Sequence, residues 1–258
     1  MPLGTFILVW IAKFIQKQCL QMQSTDATPY VFSIKSFYPA YDKGNSMRLT
    51  LFLIFLCIAG FVYTVFFVSD YSQFFGEYGF SGEAVATRPW ILLTSIFLHG
   101  SLEHLLSNIL VLFFFGAAVE SELGMLKMLA LFFTGAFFGD FVSLFFYSSE
   151  TVAIGASAGI FALVGLGMIV RPFDLSLYPF FIPVPLALLG VMYSLYNAIG
   201  FIQGTGNISY AAHFGGLFIG LAFGFKREGW KRGMLLIVSM LLILLLIPYI
   251  WKFVLSIR

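Results

Sequence analysis

An uninterrupted apolar run from Leu49 to Val68 constrains this chain more than any other feature of its sequence. The run has the ~20 residues that an α-helix needs to cross a hydrocarbon layer. Further apolar stretches follow, and they are Leu102–Val119, Met125–Tyr147, Ser157–Val170, a stretch that ends at Ile202, Ile208–Phe225 and Met234–Leu255. With 60% hydrophobic and 10% charged residues, the composition excludes both a soluble globular domain and a disordered chain. The sequence therefore predicts an all-α polytopic membrane protein.

The apolar stretches divide the chain into three parts. Residues 1–47 are expected to form a cytoplasmic N-terminal segment, residues 48–228 a core of six transmembrane helices, and residues 229–258 an additional seventh helix. Polar residues recur every three or four positions between Phe6 and Met22, which indicates an amphipathic helix on the membrane surface, followed by a polar linker. A disordered tail with an apolar patch explains the same segment equally well.

The distribution of Lys and Arg predicts the orientation in the membrane. With the N-terminus in the cytoplasm, eleven of the 14 Lys and Arg residues fall in cytoplasmic segments. This bias follows the positive-inside rule, so a cytoplasmic N-terminus is expected. Ser157 and the histidines then lie towards the outer leaflet. Because no organelle transit peptide is evident, a prokaryotic plasma membrane is favoured.

The stretch Gly155-Ala156-Ser157-Ala158-Gly159 surrounds a serine with the smallest residues. Small neighbours let other backbone approach and leave the hydroxyl uncovered, which suits a nucleophile. The apolar stretch that begins at this serine covers roughly 22 Å, less than the ~30 Å hydrocarbon layer. Its serine end must therefore be buried by other helices or reached by water within the membrane. The same small residues could also serve only as a helix-packing surface.

Histidines occur at two further places inside predicted spans. His213 shares a helix face with Gly216 and Gly220, and His104 lies one turn from Asn108. A histidine inside a membrane is costly and is by default a functional hypothesis, although it can also bridge helices by hydrogen bonds. Ser157 and His213 could supply a nucleophile and its general base, and His104 and Asn108 could donate hydrogen bonds to an oxyanion.

These residues give the chain a resemblance to the rhomboid family of intramembrane serine proteases. Its motifs occur in the family's order, and they are His99-Gly-Ser-Leu-Glu-His104-Leu-Leu-Ser-Asn108, Gly116-Ala-Ala-Val-Glu120-Ser-Glu-Leu-Gly124, Gly155-Ala-Ser157-Ala-Gly159 and Ala212-His213-Phe-Gly-Gly216-Leu-Phe-Ile-Gly220. The resemblance spans Trp90 to Gly220, about half of the chain. The resemblance implies a rhomboid-like six-helix core, here with one extra C-terminal transmembrane helix.

The resemblance also implies residue roles. Ser157 and His213 would be a catalytic dyad that cleaves transmembrane proteins through an acyl-enzyme, while His104, Asn108 and the backbone amide of Ser157 would bind the oxyanion. The remaining motif residues would be structural, and they are Gly116, Glu120, Gly124, Gly155, Gly159, Gly216 and Gly220. Glu120 would tie the cytoplasmic helix end and its loop.

Two positions depart from the family pattern. Phe161 stands where related proteins often have a tyrosine packed against the histidine. The loop after the first span has Trp90-Ile91 where some members have Trp-Arg. The family pattern assigns no catalytic acid, and the chain offers no obvious one. Asp140, deep in the third span, is therefore interpreted as a polar helix contact or a cavity-lining group. The fifth span and the loop 200–207 would form a mobile cap and a gate for substrate.

Several other functions are weighed against proteolysis. A zinc protease is disfavoured because the spacing of His99 and His104 fits neither zinc motif. A transporter is disfavoured because charged residues do not face one another across inverted repeats. The serious alternative is a catalytically inactive rhomboid-like binder of membrane proteins, although such proteins usually lack the serine or the histidine. No cofactor, metal or nucleic acid is expected, and the expected partners are transmembrane protein substrates and the lipid bilayer.

Overall fold

The computed structural model describes residues 47–176, 184–204 and 208–256, so the predicted N-terminal amphipathic helix lies outside the described residues. The helices are α1 (Arg48–Phe67), α2 (Tyr71–Tyr78), α3 (Ile91–Phe97), α4 (Leu102–Val111), α5 (Ala117–Leu123), α6 (Met125–Ser143), α7 (Ser157–Val170), α8 (Leu186–Gln203), α9 (Tyr210–Glu228) and α10 (Trp230–Ser256). A π-helical turn, Leu112–Gly116, joins α4 to α5. Two short antiparallel strands, β1 (Leu175–Ser176) and β2 (Val184–Pro185), precede α8.

Each predicted apolar stretch is a helix. Among the described residues, the helices long and apolar enough to cross a membrane are Arg48–Phe67, Leu102–Leu123, Met125–Ser143 and Leu186–Gln203, with Ser157–Val170 as a shorter apolar helix. The remaining two stretches form α9, with 19 residues, and α10, with 27. The prediction of an all-α polytopic membrane protein is confirmed.

Helix α7 lies at the centre of the bundle, and its residues from Ala158 to Ile169 are all buried. Glycines on the two neighbouring helices make this possible. A Cβ added to Gly216 or Gly220 of α9 would fall on the backbone oxygens of Ala158 and Ala162. The backbones of α7 and α9 are therefore in direct contact, as small residues permit in membrane proteins. The short helix is enclosed by protein, as its length requires.

The segment between α1 and α4 holds the chain that enters α7. Phe80 pairs with Ala153 in an isolated β-bridge, with N···O distances of 2.9 and 2.8 Å. The amide of Gly155 donates to the carbonyl oxygen of Ser95 at 2.8 Å. This stretch contains the short helix α3, preceded by the half-exposed Trp90. Its backbone thus determines where the serine turn lies.

Glu120 does not have the partner that the sequence predicted. Its buried carboxylate accepts hydrogen bonds from the amides of Leu49 and Thr50, at 3.0 and 2.8 Å, and from Thr50 Oγ1 at 2.7 Å. The sequence predicted that it ties the cytoplasmic helix end and its loop, whereas the carboxylate reaches the first turn of α1. The first amides of a helix lack intrahelical acceptors, and a carboxylate there is also favoured by the helix dipole.

The other glycines of this motif have distinct surroundings. A Cβ on Gly116 would lie 2.9 Å from Thr50 Cγ2, so Gly116 permits the close approach of α1. Gly124 has a φ of +79° at the turn between α5 and α6, a conformation that favours glycine. Both glycines act in the fold at a distance from Ser157, as a structural motif would.

Candidate active site

Ser157 is the first residue of α7, and the turn that precedes it needs glycine. Gly155 has a φ of +118°, which side chains rarely tolerate. The chain then enters the helix at Ala156, so Ser157 contributes one of the first amides of α7. Such amides have no acceptor within the helix, and they lie at the positive end of the helix dipole. An anion that forms beside Ser157 would be stabilised by both effects.

The structure brings Ser157 and His213 together from helices α7 and α9. Ser157 Oγ and His213 Nε2 are 2.7 Å apart, within hydrogen-bond distance. The contact follows from the glycine face of α9, since Gly216 lies one turn after His213 against Ala158. A hydroxyl paired with an imidazole nitrogen is the arrangement of a nucleophile and its general base.

Two aromatic side chains pack around the imidazole of His213. The ring of Phe161 is stacked on it with centroids 4.5 Å apart and planes inclined by 13°. The ring of Tyr210 meets it edge-on at 6.3 Å. Phe161 thus packs its ring against the histidine, at the position where related proteins often have a tyrosine. It lacks the tyrosine hydroxyl.

Sequence reasoning missed Asn197, the residue on the other side of the imidazole. Its Oδ1 lies 2.7 Å from His213 Nδ1, and its Nδ2 donates to the backbone oxygen of Tyr210 at 3.1 Å. The side chain is on α8 and is only 1% exposed. A polar amide inside an apolar span was the available signal. No sequence spacing connects it to His213.

His104 and Asn108 lie beside Gly155, in the turn that precedes Ser157. A Cβ on Gly155 would be 2.7 Å from His104 Nε2 and 3.8 Å from Asn108 Nδ2, so both side chains reach the turn that carries Ser157. Asn108 is buried, and its Nδ2 donates to the backbone oxygen of His104 at 3.0 Å. That hydrogen bond uses one of the two amide hydrogens. The other is available for a further acceptor.

His99, from the same motif, packs against the ring of His104. Its ring lies edge-on to that of His104, with centroids 5.0 Å apart, and its Nδ1 is 3.3 Å from the backbone oxygen of Phe97. Burial, and to a lesser extent the nearby His104, lowers the pKa of His99 to about 4. The ring is therefore neutral near pH 7 and packs as an uncharged group.

A small cavity of about 20 Å³ adjoins Ser157. Asp140 of α6 lines it, in agreement with the interpretation of this carboxylate as a cavity-lining group, and Ser95 and Ser209 lie on its wall. The volume suits about one water-sized group. Within the part of the chain that the structure describes, no three His, Cys, Asp or Glu side chains are grouped to hold a metal ion.

Comparison with known proteins places these residues within one family. The Rhomboid domain model matches residues 86–229, more than half of the chain, and this range contains all the motifs described above. The chain is 30% identical over 163 residues to RHOMBOID-like protein 12, mitochondrial, of Arabidopsis thaliana, which covers 56% of the chain and 48% of that protein. It is 33% identical over 147 residues to RHOMBOID-like protein 4 of the same plant, covering 55% of the chain and 36% of that protein.

A longer match is to Rhomboid protein 1, mitochondrial, of Saccharomyces cerevisiae, at 28% identity over 207 residues, covering 76% of the chain and 58% of that protein. The chain thus spans about a third to three fifths of the relatives' own lengths. These relatives are eukaryotic, so the expectation of a prokaryotic plasma membrane is not supported. The chain is integral to a membrane, and it belongs to the rhomboid family.

Proposed function

We propose that the chain is an intramembrane serine endopeptidase that cleaves transmembrane segments of membrane proteins. The observation that carries this proposal is the 2.7 Å contact between Ser157 Oγ and His213 Nε2 at the partly buried start of a helix too short to span the bilayer. If the hydroxyl and the imidazole only linked α7 to α9, the other groups at this turn would have no role. These groups are the first amides of α7 and the side chains of His104 and Asn108.

The mechanism follows from the positions of the side chains. His213 Nε2 removes the proton of Ser157 Oγ as the oxygen attacks the peptide carbonyl carbon of the substrate. The resulting oxyanion is bound by the amide of Ser157 and by His104 and Asn108. His213 then returns the proton to the leaving amine as the peptide C–N bond breaks, which leaves an acyl-enzyme. Water attacks this ester with His213 again as base, the bond between Ser157 Oγ and the acyl carbon breaks, and His213 returns the proton to Oγ. The new C-terminal carboxylic acid leaves, and the dyad is regenerated.

The remaining sequence expectations belong to the same proposal. The six helices of residues 48–228 would form the catalytic core, with 229–258 as an added transmembrane helix and 1–47 as an N-terminal segment in the cytoplasm. The substrate would be a single-pass membrane protein with a small residue at the cleavage site. Its transmembrane helix must unwind there, because a helical peptide bond is hydrogen-bonded and shielded from attack. The fifth span, α8, would open to admit it, and cross-linking it to the second span should then abolish cleavage.

The test compares purified full-length protein with its Ser157→Ala and His213→Ala variants. Each is incubated in detergent with a model transmembrane substrate, and cleavage products are identified by mass spectrometry. A fluorophosphonate probe reports the nucleophilicity of Ser157 independently of substrate. We expect cleavage and labelling by the unaltered chain, and loss of both in either variant. Ser194→Ala serves as the matched control, since this hydroxyl donates to the backbone oxygen of Gly190 within its own helix α8.

The inactive rhomboid-like binder predicts a different outcome. Such a protein would retain a transmembrane partner in a pull-down, would leave it intact, and would not react with the fluorophosphonate. Binding without cleavage or labelling, by correctly folded protein, would replace the protease proposal with this alternative.

A further inference from the structure

We infer that Asn197 is a positioning residue that fixes the tautomer and the orientation of His213, so that Nε2 presents its lone pair to Ser157. This inference rests on the proposed function only for its effect on the reaction rate. The hydrogen-bond chain itself is a property of the fold. It joins α8 to α9 through Asn197 and continues to the first residue of α7.

This chain of hydrogen bonds begins at a backbone carbonyl oxygen, which can only accept a hydrogen bond. The backbone oxygen of Tyr210 must receive a hydrogen, so the Asn197 atom 3.1 Å from it is the NH₂ group. The carbonyl oxygen Oδ1 of Asn197 is then the atom 2.7 Å from His213 Nδ1. Because Oδ1 also only accepts, Nδ1 must carry the ring proton. Nε2 is left unprotonated, and the hydrogen of Ser157 Oγ points at it across 2.7 Å. One backbone carbonyl therefore determines which ring nitrogen is the base.

Burial makes this arrangement persistent. Asn197 is 1% exposed, so water has no route to replace its hydrogen bonds. Phe161, stacked at 4.5 Å, limits rotation of the imidazole out of its plane, and the bond from Nδ1 to Asn197 limits rotation within the plane. The imidazole is thus held in both respects.

An amide suits this position better than a carboxylate. A serine protease triad uses an aspartate to hold the histidine in its productive tautomer and to stabilise the imidazolium. Among the packed helices here a charged group would carry a large desolvation cost. Asn197 supplies the orientation without the charge. We therefore expect it to act on the geometry of His213 rather than as an electrostatic partner of a cation.

The kinetic test uses Asn197→Leu, Asn197→Asp and the control Ser194→Ala, all in the full chain in detergent. Leu keeps the branched shape of the side chain and has no acceptor, and Asp keeps an acceptor for Nδ1–H. We expect kcat for a model transmembrane substrate to fall by about 100-fold in Asn197→Leu, since a misplaced general base forfeits a contribution of this order. KM of Asn197→Leu should stay unchanged. Asn197→Asp should recover at least a tenth of the activity that Asn197→Leu loses. Ser194→Ala should match the unaltered chain.

The second measurement reads the tautomer directly. The chain contains 3 histidines, so ¹⁵N-histidine labelling gives a small set of ring signals, and His213→Gln identifies those of His213. We expect His213 in the unaltered chain to be protonated at Nδ1, and Asn197→Leu to redistribute the proton towards Nε2. If Asn197→Leu does not fold, the spectra of the unaltered chain and of Asn197→Asp carry the test.

The outcomes separate the two proposals. A His213 ring protonated at Nε2 in the unaltered chain, or full kcat in folded Asn197→Leu, would overturn the inference and leave Asn197 as a tie between α8 and α9. If the unaltered chain cleaves nothing, the protease proposal fails, while the NMR spectra still decide which nitrogen of His213 is protonated.

Discussion

The imidazole of His213 is contacted at each of its polar atoms and on one face. Ser157 meets Nε2, Asn197 meets Nδ1, and the ring of Phe161 covers the plane. A side chain so restrained loses little entropy when it reacts, because its rotamer is already selected. The lost tyrosine hydroxyl at position 161 does not change this, since stacking requires only the ring.

We expect His104→Ala and Asn108→Ala each to lower kcat through the loss of an oxyanion donor and not through a folding defect. Each removes a side chain that reaches the turn of Gly155 and Ser157. Loss of one oxyanion donor typically raises the barrier by about 2.7–4 kcal/mol, a rate loss of about 100- to 1000-fold. Steady-state kinetics should show the loss in kcat with KM nearly constant. Thermal unfolding controls for stability, and an Asn108→Ala variant with unaltered kcat would remove Asn108 from the oxyanion site.

Helix α7 is the element on which the others are packed, and glycines of α6 and α9 determine how closely they approach. Gly135 and Gly139 of α6 face Ala162 and Ala158, while Gly216 and Gly220 of α9 face the same two alanines from another side. A helix with so many close backbone contacts cannot shift without separating Ser157 from His213. The close packing of these helices therefore also sets the distance between Ser157 and His213.

Gly220→Ala tests this close packing. The added methyl group would overlap the backbone oxygen of Ala162, and an inserted methyl in a packed core typically costs about 1–3 kcal/mol. We expect a lower midpoint of thermal unfolding in detergent and reduced cleavage. Gly76→Ala in α2 is the matched control, because a Cβ there meets nothing within 4 Å. An unchanged midpoint for Gly220→Ala would mean that α7 and α9 separate easily.

Contacts distant in sequence connect the bundle at the end away from Ser157. Glu120 holds the first turn of α1, and Glu122 pairs with Arg171 at 2.8 Å and with Arg227. The two carboxylates differ in their surroundings. Glu120 is buried, whereas Glu122 and its partners are 21% to 41% exposed. Hydrogen bonds that are shielded from solvent contribute more than exposed ion pairs.

We therefore expect Glu120→Ala to destabilise the protein far more than Glu122→Ala. Loss of the Glu120 carboxylate leaves the amides of Leu49 and Thr50 without their acceptor and should cost about 3 kcal/mol. Glu122→Ala should cost about 1 kcal/mol or less, and its effect should weaken further at high salt. Thermal unfolding of both variants in detergent decides the order. Equal destabilisation would show that α1 is held by its apolar contacts rather than by Glu120.

The amino-acid sequence by itself determined the membrane spans and the start of α7 at Ser157. Both depend on local properties, namely the length of an apolar run and the small residues that open a helix. It also supplied the motifs that pointed to the family. Only the tertiary structure decided which side chains meet. Asn197 bonds to His213 and Glu120 to Leu49 and Thr50 across 16, 71 and 70 residues, and no sequence period links such positions. These contacts follow from how the helices pack, which depends on their close-fitting surfaces taken together.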